Sequence, residues 1–407
     1  MNPGERPRST APRLWLLVSS LGIAQIISWG TLYYSIAVLG ANMRRDLGIS
    51  ETTLFGAYSF SLLLSGIFAP AAGRAIDRWG GRNVMSAGSL IAAVSLFAIG
   101  QTQGVVWLYV AWALGGVAMT LALYEPAFVT LSQHTGNAYR RALTVLTLFG
   151  GLASTAFWPL SLAGLSTIGW RDTMTGFALL ELLVCLPLHF FCIPKEPFSE
   201  PASRDAAPAA PVHPPATTAE RHRARRAAFV ALATAFALNG FVVSAIGIHL
   251  IAVLQGKAFT LASAVWVSSF IGPMQVAGRA AEFTIGRRFA SRTIGILSYA
   301  AIALALMLLI PLQGAAWVAL LFALLYGASN GVLTIVRGIV PAELFGRVGF
   351  GGTLGALVAP SLIGRAIAPL VCAGMVTPGP WMQGWLIALG GLSVLAVIAF
   401  AVAVAKR

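Results

Sequence analysis

The chain has 407 residues, 57% of them hydrophobic and 10% charged, with a mean hydropathy of +0.81. A water-soluble fold of this size cannot hide that much apolar surface, so soluble enzymes are excluded. A soluble nucleic-acid binder is excluded too, despite the formal net charge of +14, because the basic residues lie between apolar runs.

The polar N-terminus "MNPGERPRSTAPR" is followed by an apolar run at 14–40. That run is too long for a signal-peptide core and lacks a clear cleavage pattern, so it is expected to stay as a first helix. Further spans are predicted at 53–73, 83–101, 105–131, 142–167 and 173–193. A second set falls at 227–253, 260–283, 293–311, 315–337, 349–374 and 382–404. At 1.5 Å per residue, each bridges a hydrocarbon core of about 30 Å. The expected fold is an all-α integral membrane protein with twelve transmembrane helices in two pseudo-symmetric six-helix bundles. Residues 1–193 form the first bundle and 227–407 the second; the Pro-, Ala- and charge-rich segment 194–226 is expected to be a cytoplasmic linker.

Lys and Arg fix the expected orientation. With both termini and the linker in the cytoplasm, 22 of the 27 basic residues lie on that side. Arg44, Arg45, Arg171, Lys257 and Arg365 are the exceptions. The positive-inside rule then predicts a multi-pass protein of the inner (cytoplasmic) membrane.

"GRAIDRWGGR", from Gly73, packs four charges into ten positions between apolar runs. It is expected at the cytoplasmic end of the second helix and in the loop after it. "GRAAEFTIGR", from Gly278, repeats it 205 residues later, with Glu282 at the position of Asp77. Two parallel halves of a transporter would generate such a repeat.

Gly73, Asp77, Arg78, Gly80 and Arg82 resemble the helix 2–3 motif of the major facilitator superfamily, G-x-x-x-D-R-x-G-R-R, with Gly81 at the penultimate position. The resemblance implies alternating access by two rocking halves. It also implies a conformational latch made of Gly73, Asp77, Arg78, Gly80, Arg82 and Glu282. Asp77 would face the positive N-terminus of helix 11, and Arg78 and Arg82 would meet acidic groups or lipid phosphate. "YRRALTVLTLFGG" from Tyr139 and "HLIAVLQGKAFTLASA" from His249 resemble carriers of the monocarboxylate and oxalate:formate type. By that resemblance Arg279 in helix 8 and Arg365 in helix 11 would bind a carboxylate. Gln275 stands where monocarboxylate carriers usually have Asp. The internal repeat pairs Arg279 with Arg74 instead, at the cytoplasmic edge.

Charges within the spans are costly and so are paired or functional. Glu125, directly before Pro126, is the candidate for proton coupling. Glu181 is expected to be a structural carboxyl, and Arg337 an inner-surface residue at the end of helix 10. Tyr33, Asn239 and Asn330 join Arg365 and Arg279 as candidate substrate contacts. Gln25, Trp29, Tyr34 and His249 are further polar positions that line a cavity or bond between helices. Cys185, Cys192 and Cys372 lie in apolar runs and form no metal spacing. No nucleotide loop, metal set or catalytic triad is present, so no enzyme, cofactor or metal is expected. The expected partners are a small-molecule substrate, an organic anion, together with protons and membrane lipid. The expected function is secondary transport of a monocarboxylate-like anion, with a proton-driven drug or metabolite exporter as the alternative. A non-transporting receptor of the same fold is a third class.

Overall fold

The computed structural model describes residues 11–195, 218–372 and 380–405, and these are helices joined by short turns. Among the described residues, ten stretches are long and apolar enough to cross a membrane. Helices dominate because a chain in hydrocarbon must satisfy its backbone internally.

The stretch Glu51–Gly100 is a single 50-residue run interrupted at Gly80, where φ is 75° and ψ 156°. Only glycine takes that backbone without strain. The run therefore divides into α2 (51–79) and α3 (81–100), and the expected loop shrinks to a one-residue turn. Before it stands α1 (Leu14–Leu47). After it come α4 (Val105–His134), α5 (Gly136–Thr167) and α6 (Gly169–Cys192). The second set opens with α7 (Thr218–Gly256), nine residues before its expected start at 227, so 218–226 are helix rather than linker; residues 196–217 of the expected linker lie outside the described residues. Next is α8, which breaks at Phe270 into Leu261–Ser269 and Ile271–Thr284, so neither piece alone is long enough to span. The remaining helices are α9 (Ser291–Leu309), α10 (Ala316–Phe345), α11 (Phe350–Cys372) and α12 (Pro380–Val404). The two adjustments, at Gly80 and Phe270, reconcile ten stretches with twelve expected spans. Helix α10 extends eight residues past its expected end at 337.

The described residues pack as two compact units, Met1–Glu196 with Gly349–Gly355, and Pro197–Val348 with Ala356–Arg407. In the first unit, Met43, Leu96 and Trp112 are fully buried, and the helices meet through small residues. Gly116 of α4, for example, lies against the Ser61 carbonyl of α2, an approach that any larger residue would prevent. In the second unit, Phe400 of α12 is buried against Gly295 and stacks on Tyr299 at 4.8 Å between ring centroids. Lys257, just beyond the end of α7, donates from Nζ to the Ile310 carbonyl at 2.7 Å and to Gln383 Oε1 at 2.8 Å. Burial lowers its pKa from the usual lysine value.

Candidate functional site

The second unit holds a polar pocket of about 20 Å³, room for about one water. Helical spacing builds it. Phe236 and Asn239 lie one turn apart on α7, and Ser361 and Arg365 one turn apart on α11. Asn330, Leu333, Thr334 and Arg337 follow the i, i+3, i+4, i+7 pattern of one face of α10. Tyr299 of α9 completes the lining. Arg365 is half-buried, and its Nε is buried with no hydrogen-bond partner among the described residues. Among the described residues, no carboxylate lines the pocket.

Three of the five expected substrate contacts, Arg365, Asn239 and Asn330, thus come together. Arg337 joins them, which corrects the expectation of a surface residue. It is 8% exposed, because α10 continues two turns beyond it. The sequence did carry a signal: Arg337 stands seven residues from Asn330, on the same helical face.

In the first unit, α4 is broken inside the membrane. Leu123 has ψ −153°, and a new helix starts at Tyr124, with Glu125 and Pro126 in its first turn. Pro126 has no N–H, so the Ala122 carbonyl loses its helical donor. Gln25 of α1, fully buried, supplies the replacement: its Nε2 donates to Ala122 O at 2.7 Å and Leu123 O at 3.3 Å. Trp29 Nε1 in turn donates to Gln25 Oε1 at 3.1 Å. Trp29 also packs 5.1 Å from Tyr33 and 5.0 Å from Tyr124. Glu125, which follows Tyr124 in the first turn of the new helix, is half-buried.

The motif from Gly73 forms a helix cap. Asp77 Oδ1 accepts from Gly351 N at 2.9 Å, and Oδ2 accepts from Gly352 N at 2.8 Å. These amides belong to the first turn of α11, where backbone donors have no intrahelical partner and the dipole favours an anion. Gly73 sits against the Gly351 carbonyl with no space for a Cβ.

Comparison with known proteins decides what this architecture is. The family model described as Major Facilitator Superfamily matches residues 21–340. The chain belongs to the major facilitator superfamily. Its fold resembles that of the proton:xylose symporter XylE bound to 6-bromo-6-deoxy-D-glucose. The TM-score is 0.73 at 12% identity, over 96% of this chain and 95% of that one. It also resembles the human organic anion transporter MFSD10 (TETRAN), with TM-score 0.69 at 16% identity, over 98% and 100% of the two chains. No curated protein sequence matches it.

As a member of this superfamily, the chain is a multi-pass membrane protein of a transporter family whose members are carriers rather than enzymes. The structure does not bring the other expected substrate contacts into the pocket. Arg279 is 5% exposed, and its Nε donates to the Gly331 carbonyl of α10 at 3.4 Å. Tyr33 is half-buried in the aromatic group of the first unit. Of the expected latch residues, Arg78 is exposed beside Trp79 and Arg82 lies 4.5 Å over the Phe190 ring. Gly80 makes the α2–α3 turn, and Glu282 is buried in α8. Glu181 is fully buried and accepts from Thr31 Oγ1 at 3.1 Å. That contact joins a π-helical turn of α6 to one of α1. Among the described residues, no group of three or more His, Cys, Asp or Glu is placed to hold a metal.

Proposed function

We propose that this chain is a secondary active transporter that moves a small organic anion across the cytoplasmic membrane by alternating access. Its halves would be residues 1–193 and 227–407, joined by a cytoplasmic linker within the expected 194–226, of which 218–226 already belong to α7. Arg365 is the observation that carries the reading. It offers a guanidinium with a buried, unpartnered Nε to a pocket lined by amides and hydroxyls, with no carboxylate. A carboxylate satisfies a guanidinium through two parallel hydrogen bonds. The sequence resemblance to carriers of the monocarboxylate and oxalate:formate type points to the same chemistry.

Coupling to protons is assigned to Glu125, at the break in α4. Protonation there removes a negative charge and so favours entry of an anion. Asp77 is assigned to the latch: its cap on α11 would hold one conformation and release in the other.

The runner-up is a proton-driven exporter of a cationic drug or metabolite. The aromatic group of Trp29, Tyr33 and Tyr124, with Glu125 next to Tyr124 in sequence, favours it, because aromatic faces and a carboxylate attract cations.

One experiment separates the two. Purified protein is heated with a panel of carboxylates and cationic drugs; a bound ligand raises the melting temperature by mass action. A carboxylate hit is expected. Arg365→Ala should lose the shift and Arg365→Lys should weaken it, since Lys cannot reproduce the forked geometry. In proteoliposomes, Glu125→Gln should abolish gradient-driven accumulation and spare exchange. Stabilisation by cations alone would promote the exporter. Parent-like affinity in Arg365→Ala would remove that arginine from the site.

A further inference from the structure

A second opening lies in the first unit, along the part of α2 that carries the Gly73 motif. It is a groove of about 770 Å³, enough to hold a whole small molecule. Helix α2 supplies one wall, from Phe68 to Trp79, and Val117, Thr120 and Leu121 of α4 supply the other. Packing explains why it is open. Gly116 of α4 lies against Ser61 of α2, and Thr120 Oγ1 donates to the Ser65 carbonyl at 3.2 Å. Leu121, on a neighbouring face of α4, meets Gly88 of α3 instead. Val117 falls between these two contacts around α4. Across from it, α2 offers only Ala71, Ala72 and Ala75, whose methyl groups leave the space unfilled. Helix α1 packs on another side of α4, where Gln25 reaches the Ala122 carbonyl. Gly73 and Asp77, which meet α11, lie on a different face of α2 from Phe68, Ala71 and Ala75. The groove is therefore turned away from both helices.

Length and charge give the chemistry of the occupant. From Phe68 to Trp79 the wall runs about 16 Å at 1.5 Å per residue. That is the depth of one leaflet, half of a hydrocarbon core of about 30 Å. Arg74 and Arg78, both exposed and one helical turn apart, stand toward the Trp79 end. Among the described residues, neither forms an ion pair. Asp77 lies between them in sequence, but its two oxygens accept from the Gly351 and Gly352 amides. Among the described residues, no carboxylate lines the groove. Its one hydroxyl, that of Thr120, is already bonded to the Ser65 and Gly116 carbonyls. Arg78 lies 5.8 Å from the centroid of the Trp79 ring, which is exposed. Tryptophan settles where hydrocarbon gives way to headgroups. The result is an apolar slot one leaflet deep with two guanidiniums at its headgroup end.

We infer that this groove holds one anionic glycerophospholipid, with an acyl chain along Ala71, Ala75 and Val117 and the headgroup phosphate between Arg74 and Arg78. Guanidiniums grip phosphate oxygens through forked, charge-assisted hydrogen bonds. A zwitterionic lipid would bring its ammonium against the same two positive charges, so the groove selects a headgroup of net negative charge. A free phosphate would leave the apolar walls unused. The inference is independent of the substrate assigned to the second unit.

The test mixes purified full-length protein in detergent with equal amounts of phosphatidylglycerol and phosphatidylcholine of the same acyl chains. Native mass spectrometry then counts the lipid each chain retains. One phosphatidylglycerol per chain is expected, in roughly tenfold excess over phosphatidylcholine. Arg74→Gln combined with Arg78→Gln should bring that ratio close to one. If the double variant does not fold, Arg74→Gln alone takes its place, with a reduced ratio expected. Ala75→Phe keeps both charges but fills the groove, and should lose the bound lipid. A parent-like ratio in the folded charge variant removes the arginines from the site, and parent-like retention in Ala75→Phe removes the groove; either overturns the inference. Equal retention of the two lipids by the parent, or of neither, overturns it as well. Inorganic phosphate that displaces the phosphatidylglycerol would assign the arginines to a free anion instead. A dimer that is lost in Ala75→Phe would give the groove to a second copy of the chain.

Discussion

At the scale of single residues, the clearest physical statement concerns Gln25. A proline inside a membrane helix leaves a carbonyl without its donor, and in hydrocarbon no water makes up the loss. Sequence reasoning could see that Pro126 frees a carbonyl and that Gln25 is polar in an apolar helix. It could not join them, because 97 residues separate Gln25 from Ala122 and only tertiary packing brings them to 2.7 Å. The pairing predicts a coupled outcome. Gln25→Leu leaves a buried carbonyl unsatisfied and should cost about 1–3 kcal/mol, seen as a lower melting temperature in detergent. Pro126→Ala restores a helical N–H for that same carbonyl. In the Pro126→Ala background, Gln25→Leu should therefore cost much less. Equal costs in the two backgrounds would show that Gln25 stabilises the fold by some other contact.

At the scale of elements, the span pattern was legible because hydrophobic runs of about 20 residues have few alternatives. What the pattern missed were the places where one residue overrides it. Gly80 compresses an expected loop into a turn, and Phe270 divides α8. Apolar residues continue past Arg337, and this carried α10 to Phe345 and put that arginine in the interior. The α2–α11 contact illustrates how a motif becomes geometry. Asp77 can reach two amides of α11 only because Gly73 and Gly351 let the backbones touch. Cap and approach should therefore fail together. Asp77→Asn keeps one acceptor and loses the charge, at a cost of about 0.5–2 kcal/mol for the cap. Gly351→Val keeps the carboxylate but drives a side chain into the Gly73 carbonyl. Both variants should insert normally, slow turnover and expose cysteines placed at the cytoplasmic ends of α2 and α11 to thiol reagents. If Gly351→Val transports and labels like the parent, the contact is not a latch.

At the scale of the whole molecule, charge is distributed to fix orientation, and the exceptions are instructive. Of the 22 basic residues counted for the cytoplasmic side, the Arg279 and Arg337 side chains are buried and do not act as surface charges. The bias without them is 20 to 5, still strong enough to orient the chain. Four of the five residues on the other side are held by the fold. Arg44 lies 3.7 Å from Glu51, and Arg171 is 2.9 Å from Asp46. Arg45 donates to Asn42 Oδ1 at 2.6 Å, and Lys257 donates to Ile310 and Gln383. The fifth, Arg365, lines the pocket. Positive charges on the side counted as non-cytoplasmic are thus paired or hydrogen-bonded locally. This predicts a topology that labelling can read directly. Arg45→Cys, in the last turn of α1, should react with a membrane-impermeant thiol reagent on intact cells. Arg141→Cys, at the start of the second half of the α4–α5 hairpin, should react only after permeabilisation. Cys185 is buried within α6 and should stay silent in both cases. Labelling of Arg141→Cys in intact cells, with Arg45→Cys protected, would invert the protein in the membrane. The charge count would then have failed as its determinant.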